Sequence, residues 1–289
     1  MDRSAKGFRL ERRELGIGLA VGAIAAMLPR SVAAKWHRPR TVRLVTIPAV
    51  QSGGLLDELV ATFEDETRYT VEVAVSTDPY GQARAGAADI VFSHLGFVDS
   101  QEFVQKGFGR WPQCIFSNIV IFVIPPNDPA GIRGLTDPVE AFRRIAETES
   151  PFILNNLGEI VFVVDTLWNA AGRPDKAGWF IDEGLQGPAA MQAAAARGGY
   201  SAWGLHPFLM LQQQQNLPLE AKLFDDSLFQ RIIASVVVNP AKVRGANLHG
   251  ALALEIFLIA PETQAQIRAF RHPSFDRPIF WPAANNNDN

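Results

Sequence analysis

Apolar positions recur along this chain with two different periods, and their alternation lays out the architecture. Residues 42–46 form a short β-rich apolar run, Pro48 and Gly53-Gly54 interrupt it, and Leu55, Leu56, Leu59, Val60 and Phe63 then recur at helical spacing. This predicts strand, loop and helix. In an open α/β sheet such a loop lies at the carboxyl end of a strand, where ligands bind, and glycines at the helix start leave backbone N–H groups to face one. Residues 69–75 alternate and are β-branched, predicting a second strand. Residues 76–88 read as a loop with a short helical part, 88–92 as a third strand running into Ser93-His94, and 98–106 as a helix. The run 114–124 is too continuously apolar for a half-exposed strand and predicts a central one.

The second half continues the alternation. Residues 125–131, rich in proline and glycine, form a candidate crossing between lobes. Asp137, Pro138 and Glu140 mark a helix start, with an acceptor at the cap, proline in the first turn and glutamate three residues on. Residues 152–154 read as a short strand, 160–168 as helical or buried, 188–197 as a closely packed alanine-rich helix, and 204–215 as a helix ending in a glutamine run. Residues 232–238 are strongly β-like and stop at Asn239-Pro240, a second candidate crossing. Helices follow over 246–259 and 261–270, and 283–289 is a polar tail with nothing to order it. Strands alternating with helices predict an α/β fold with parallel pairing.

The amino terminus departs from this pattern. Arg3, Lys6, Arg9, Arg12 and Arg13 precede an apolar, glycine-rich run over 15–28, and Ser31-Val32-Ala33-Ala34 supplies small residues for a signal peptidase. Residues 1–34 therefore read as an export signal, and the run is shorter than the ~20 residues a membrane span needs. Arg12-Arg13 before Leu15 resembles a twin-arginine signal, with the general secretory route as the alternative. Removing the signal leaves 21 basic and 27 acidic side chains, a net charge of −6, which argues against nucleic acid or an anionic membrane as partner. A single cysteine, Cys114, excludes an internal disulfide and, lying in an apolar run, predicts an unreactive thiol. With no cysteine to carry a lipid anchor, the expected location is the periplasm.

No nucleophile elbow, phosphate-binding loop, HExxH motif or cysteine pair occurs, and His37, His249 and His272 show no metal spacing. The expectation is a protein that is not an enzyme and carries no cofactor or metal.

Several short segments fall in an order and near a spacing that belong together. They are Ser52-Gly53-Gly54-Leu55-Leu56-Asp57, Ala88-Asp89-Ile90-Val91 with His94, Gly107-Phe108-Gly109, Asn118, Asp128-Pro129-Ala130-Gly131-Ile132, Val238-Asn239-Pro240 and Arg277-Pro278-Ile279-Phe280-Trp281-Pro282. Together they resemble the tungstate-binding, extracytoplasmic solute-binding proteins of tungstate ABC transporters, over roughly residues 42–282. The resemblance implies a type II periplasmic binding fold: two α/β lobes joined by two crossover strands, with a cleft between them. Lobe 1 would comprise residues 35–124 plus 237–282 and lobe 2 residues 125–236. It also implies a small-molecule solute, a membrane permease as partner, and a monomer without covalent chemistry.

The resemblance fails where the family grips its oxyanion. Hydroxyls of a Thr-Thr-Ser run are replaced by Thr46-Ile47-Pro48-Ala49, and an arginine-bearing, hydroxyl-rich segment by residues 154–162, which contain none of these groups. The family's later Asp-Arg pair gives way to Trp203-Gly204-Leu205-His206. Hydrogen bonds to charged groups contribute ~1.5–3 kcal/mol each, so losing an arginine and two hydroxyls removes about 6 kcal/mol, roughly four decades of affinity. The expectation is an altered ligand, held by Gln51, Ser52, Asp78, Tyr80, Ser93, His94, Asn155, Asn156, Glu159, Trp203 and His206. Amides, aromatics and carboxylates suit a neutral polar or weakly cationic solute. Val161 and Phe162 are candidates to fill the vacated pocket. Against these uses, His94 fits a hydrogen-bonded loop, Asn155-Asn156 a turn and Trp203 lobe packing. An exported sensing module that kept the fold without transport is the alternative function.

Overall fold

The computed structural model describes residues 40–96 and 98–284, so the export-signal reading and residues 285–289 of the tail lie outside the described residues. In chain order the elements are β1 (Thr41–Thr46), α1 (Pro48–Gln51), α2 (Leu55–Glu66), β2 (Thr70–Val75), α3 (Pro79–Arg84), β3 (Ile90–His94), α4 (Val98–Gln105) and β4 (Gln113–Ile124). After these come α5 (Pro138–Glu147), β5 (Phe152–Ile153), α6 (Gly158–Ala170), β6 (Phe180–Ile181), α7 (Pro188–Arg197), β7 (Ser201–Gly204), α8 (Leu205–Gln215) and β8 (Glu220–Lys222). The chain closes with β9 (Gln230–Val237), α9 (Leu248–Ile259), α10 (Pro261–Ala269) and β10 (Trp281–Pro282).

The main sheet runs β10-β4-β9-β3-β1-β2, and β7 and β8 pair with the far half of β4. Pairing is parallel for β1 with β2 and β3, and for β5 with β6. Between the other named strands it is antiparallel, so the parallel pairing predicted from the alternation of elements holds for these pairs and not for the ladders of β4 and β9. The reason is the long strand β4. Its twelve residues carry β9 and β10 on the first half and β7 and β8 on the second. Both faces are covered along most of its length, hence its unbroken apolar sequence. Phe122 in its second half meets Phe152, Phe224 and Phe229 edge-on at centroid distances of 5.8, 5.5 and 5.7 Å, the arrangement aromatic quadrupoles favour.

Local chemistry explains the joints. Gly53 is fully enclosed: a Cβ there would stand 2.3 Å from the Phe280 ring, so close packing with the C-terminal segment requires glycine. Gly54 takes φ +76° as the residue before α2. The loop after β4 is organised by Asp128, which accepts the N–H groups of Ile132 and Arg133 and the Tyr200 hydroxyl at 2.7 Å. Asp137 caps α5 through the N–H groups of Val139 and Glu140, and the Glu140 carboxylate forms ion pairs with Arg143 and Arg144. Ala284, placed by the sequence in an unordered tail, is buried and donates its N–H to Gln264 Oε1 at 3.1 Å. No helix of the described residues is long and apolar enough to cross a membrane.

Candidate ligand-binding cleft

Three adjacent strands build the floor of the site. In the antiparallel ladder of β4 and β9, Asn118 lies opposite Arg231; in that of β9 and β3, Ile233 lies opposite His94. Residues directly across or diagonal on one sheet face come within side-chain reach, so His94, Asn118 and Arg231 converge. His94 Nε2–H donates to Asn118 Oδ1 at 3.4 Å.

Above this floor is a cavity of about 190 Å³. Ala49 from α1 enters on one side. Leu157, Glu159 and Ile160 come from the start of α6, and Trp203, Gly204 and Pro207 from the junction of β7 and α8. Ile119 and Val120 complete the apolar part of the wall. Neither α6 nor α8 has a side-chain cap. Their first-turn N–H groups, which lack partners inside a helix, therefore begin beside the cavity, and their dipoles make that end electropositive.

The charge balance is specific. Burial lowers the Arg231 pKa from its ordinary value and the Glu159 carboxylate opposes that shift, so cation and carboxylate sense each other. Burial first and Arg231 second push His94 down to about 4, against the hydrogen bond to Asn118, so His94 is neutral at pH 7. The lining thus holds one positive and one negative side chain, a neutral imidazole and an amide, and no side-chain hydroxyl. A larger apolar cavity of about 350 Å³ beside α4, lined by Trp111 and Cys114 among others, contains no charged group. The smaller one is the candidate site because polar groups converge on it.

Of the residues singled out from sequence, His94, Glu159 and Trp203 line the cavity. The others are placed elsewhere. Gln51 donates to Asp57 Oδ1 at 2.8 Å, and Ser52 lies 3.5 Å from His206 Nδ1. Asp78 caps α3 by accepting Gly81 N–H at 2.8 Å. Tyr80 is in the core against Phe103, its phenol raised to about 12 chiefly by burial and hydrogen-bonded to Ser93 and Ser100. Asn155 is wholly buried, donating to Ala202 O at 3.2 Å and accepting Gly187 N–H at 2.9 Å. Asn156 donates to Asp182 Oδ1 at 3.0 Å. His206 packs at a tilt against His272 at a centroid distance of 5.2 Å, and burial first and His272 second lower its pKa to about 4. Phe162, a candidate to fill the vacated pocket, is 58% exposed. Gly53 and Gly54 do not line the cavity; their role is the packing and turn described above.

Arg231 and Asn118 are the polar residues of the cavity that were not among the candidates. The strand was expected to begin at residue 232, whereas β9 starts at Gln230. Extending the strand back over Arg231 would have placed the arginine in the sheet, but its position opposite Asn118 is set by the pairing of β9 with β4.

No protein-family model matches the chain. Among solved structures, the tungstate-binding protein TupA of Desulfovibrio alaskensis aligns with a TM-score of 0.76 at 23% identity, covering 86% of this chain and all of that one. This is a type II periplasmic binding fold. A structure of a tungstate ABC transporter protein from Geobacter sulfurreducens shares the fold at a TM-score of 0.65 and 26% identity, covering 80% of this chain and 98% of the other. In sequence, the tungstate-binding protein TupA of Peptoclostridium acidaminophilum is 26% identical over 271 residues, 91% of this chain and 93% of the relative. The resemblance to tungstate-binding solute-binding proteins thus extends along nearly the whole binding fold.

Proposed function

We propose that this chain is an extracytoplasmic solute-binding protein that delivers a small solute to an ABC-transporter permease, and that its ligand is no longer a tungstate-like oxyanion. In this reading residues 35–124 with 237–282 form one lobe and 125–236 the other. The lobes close over the cavity at Arg231, and the exported protein works as a monomer without covalent chemistry. Similarity to tungstate-binding proteins supports the transport role. Burial raises the Cys114 thiol pKa, which leaves the only cysteine a poor nucleophile.

The change of ligand rests on one observation: the cavity's single guanidinium is accompanied by the Glu159 carboxylate, and its lining includes no hydroxyl-bearing side chain. A desolvated dianion needs several short donor bonds and a compensating charge. Here it would meet a carboxylate as well as a cation, and the two side-chain charges cancel. Arg231 restores one of the charges expected to be missing, and Glu159 offsets it. Calorimetry of the purified protein with tungstate and molybdate is expected to show no submicromolar binding. A submicromolar tungstate site would overturn the altered-ligand reading. Small-angle scattering with a bound solute is expected to show a more compact particle.

A further inference from the structure

Two opposite charges set into one small cavity make a specific demand on what enters it. Arg231 is presented by β9, and Glu159 by the first turn of α6, a separate element reaching the cavity from another side. The remaining contacts are aliphatic or aromatic, from Ile119, Val120, Leu157 and Trp203, with the Asn118 amide and a neutral His94. A ligand with a single charge satisfies one of the pair and is repelled by the other. A solute with no charge makes no use of either. A molecule with a negative and a positive end complements both.

We propose that the cleft binds a small zwitterionic solute of the α-amino-acid class. Its carboxylate sits on the Arg231 guanidinium, its ammonium group on the Glu159 carboxylate, and its side chain against Trp203 and the aliphatic wall. A guanidinium fork matches a carboxylate in two parallel hydrogen bonds. The volume of about 190 Å³ limits the solute to a single residue and excludes a peptide. This inference rests on the solute-binding reading above and specifies its substrate class.

The test uses calorimetry and thermal-shift measurements on the full chain. The probes are L-alanine and L-proline as zwitterions, propionate and ethylamine as their single-charge counterparts, and tungstate. The zwitterions are expected to bind about ten- to a hundredfold more tightly than either single-charge probe, the factor that one charge-assisted hydrogen bond provides. Arg231→Gln is expected to weaken L-alanine and propionate alike. Glu159→Gln is expected to weaken L-alanine but strengthen propionate, so the preference narrows or inverts. Arg231→Lys keeps the charge, and its intermediate affinity separates recognition from misfolding. If propionate or tungstate binds the unaltered protein better than the zwitterions, the substrate class is wrong while the solute-binding reading stands. If no probe of any class binds, both fall.

Discussion

Asn118 and Arg231 face each other across the ladder of β4 and β9, and His94 joins them from β3, hydrogen-bonded to the Asn118 amide. The arginine therefore helps to keep His94 uncharged, although burial is the larger cause. Replacing Arg231 with glutamine should move the His94 pKa from about 4 part of the way back toward 6.5, because burial remains. Titration of the imidazole by NMR measures this directly, and an unchanged or lower value would refute the through-space effect. The sign for stability follows. His94 and His206 both lie near 4 in the folded protein, below the unfolded value of 6.5, so unfolding takes up protons between those limits. Stability should fall as pH drops from about 6.5 toward 4, and less steeply in a His206→Asn variant.

Asp89 joins three parts of the chain at one fully buried carboxylate. It accepts Arg43 N–H at 2.8 Å, Arg43 Nε and Nη2 at 3.1 and 2.6 Å, and Asn247 N–H at 2.8 Å. Asp89→Ala would strand two backbone donors and remove the arginine's partner. Breaking a buried pair in this way costs about 3–5 kcal/mol, and the lower end applies because the Arg43 side chain is 34% exposed. Urea denaturation should show that loss without a change in slope. A cost under about 1 kcal/mol would mean the network is dispensable.

Gly53 lies in the loop predicted to turn backbone amides toward a ligand, yet the neighbour that excludes any side chain is Phe280. The ring cannot retreat easily, since it packs on Phe116 and Phe270 at centroid distances of 5.4 and 6.4 Å. Gly53→Ala should destabilise the fold by about 1–3 kcal/mol through overpacking. The same change should cost much less in a Phe280→Ala background, where the clash is gone. Additive effects in that double-mutant cycle would contradict the contact.

These residues show what was legible in advance. Element types followed from periodicity, as in the apolar run that became β4 and the Asp137-Pro138 start of α5. Very short strands such as β6 and β8 escaped notice, because two or three residues are too few to display a period. The site was read less well. Asn155, Tyr80 and Asp78 are polar types that look available in sequence, but each is occupied in holding loops, core or helix ends. Arg231 and Asn118 become neighbours only through pairing between strands more than a hundred residues apart, which no local spacing encodes. Their convergence is a property of register.

Glu255 provides a test of burial with the opposite sign to the histidines. It lies on α9, 8% exposed, and accepts the Ser235 hydroxyl of β9 at 2.8 Å. Burial raises its pKa more than Ser235 and Arg110 lower it. A carboxyl group that holds its proton more tightly folded than unfolded loses stabilising power as pH rises through the unfolded value of 4.5 and on to the folded one. Glu255→Gln keeps an acceptor oxygen for Ser235 and carries no charge to desolvate. Its melting temperature relative to the unaltered protein should therefore climb as pH rises above 4.5 and level off once the folded carboxyl group has ionised. Glu255→Leu removes the acceptor and leaves the buried hydroxyl to find another, so it should be less stable than the glutamine variant by about 1 kcal/mol. If the glutamine variant instead loses ground as pH rises, the carboxylate is net stabilising where it stands, and desolvation is not the dominant influence on it.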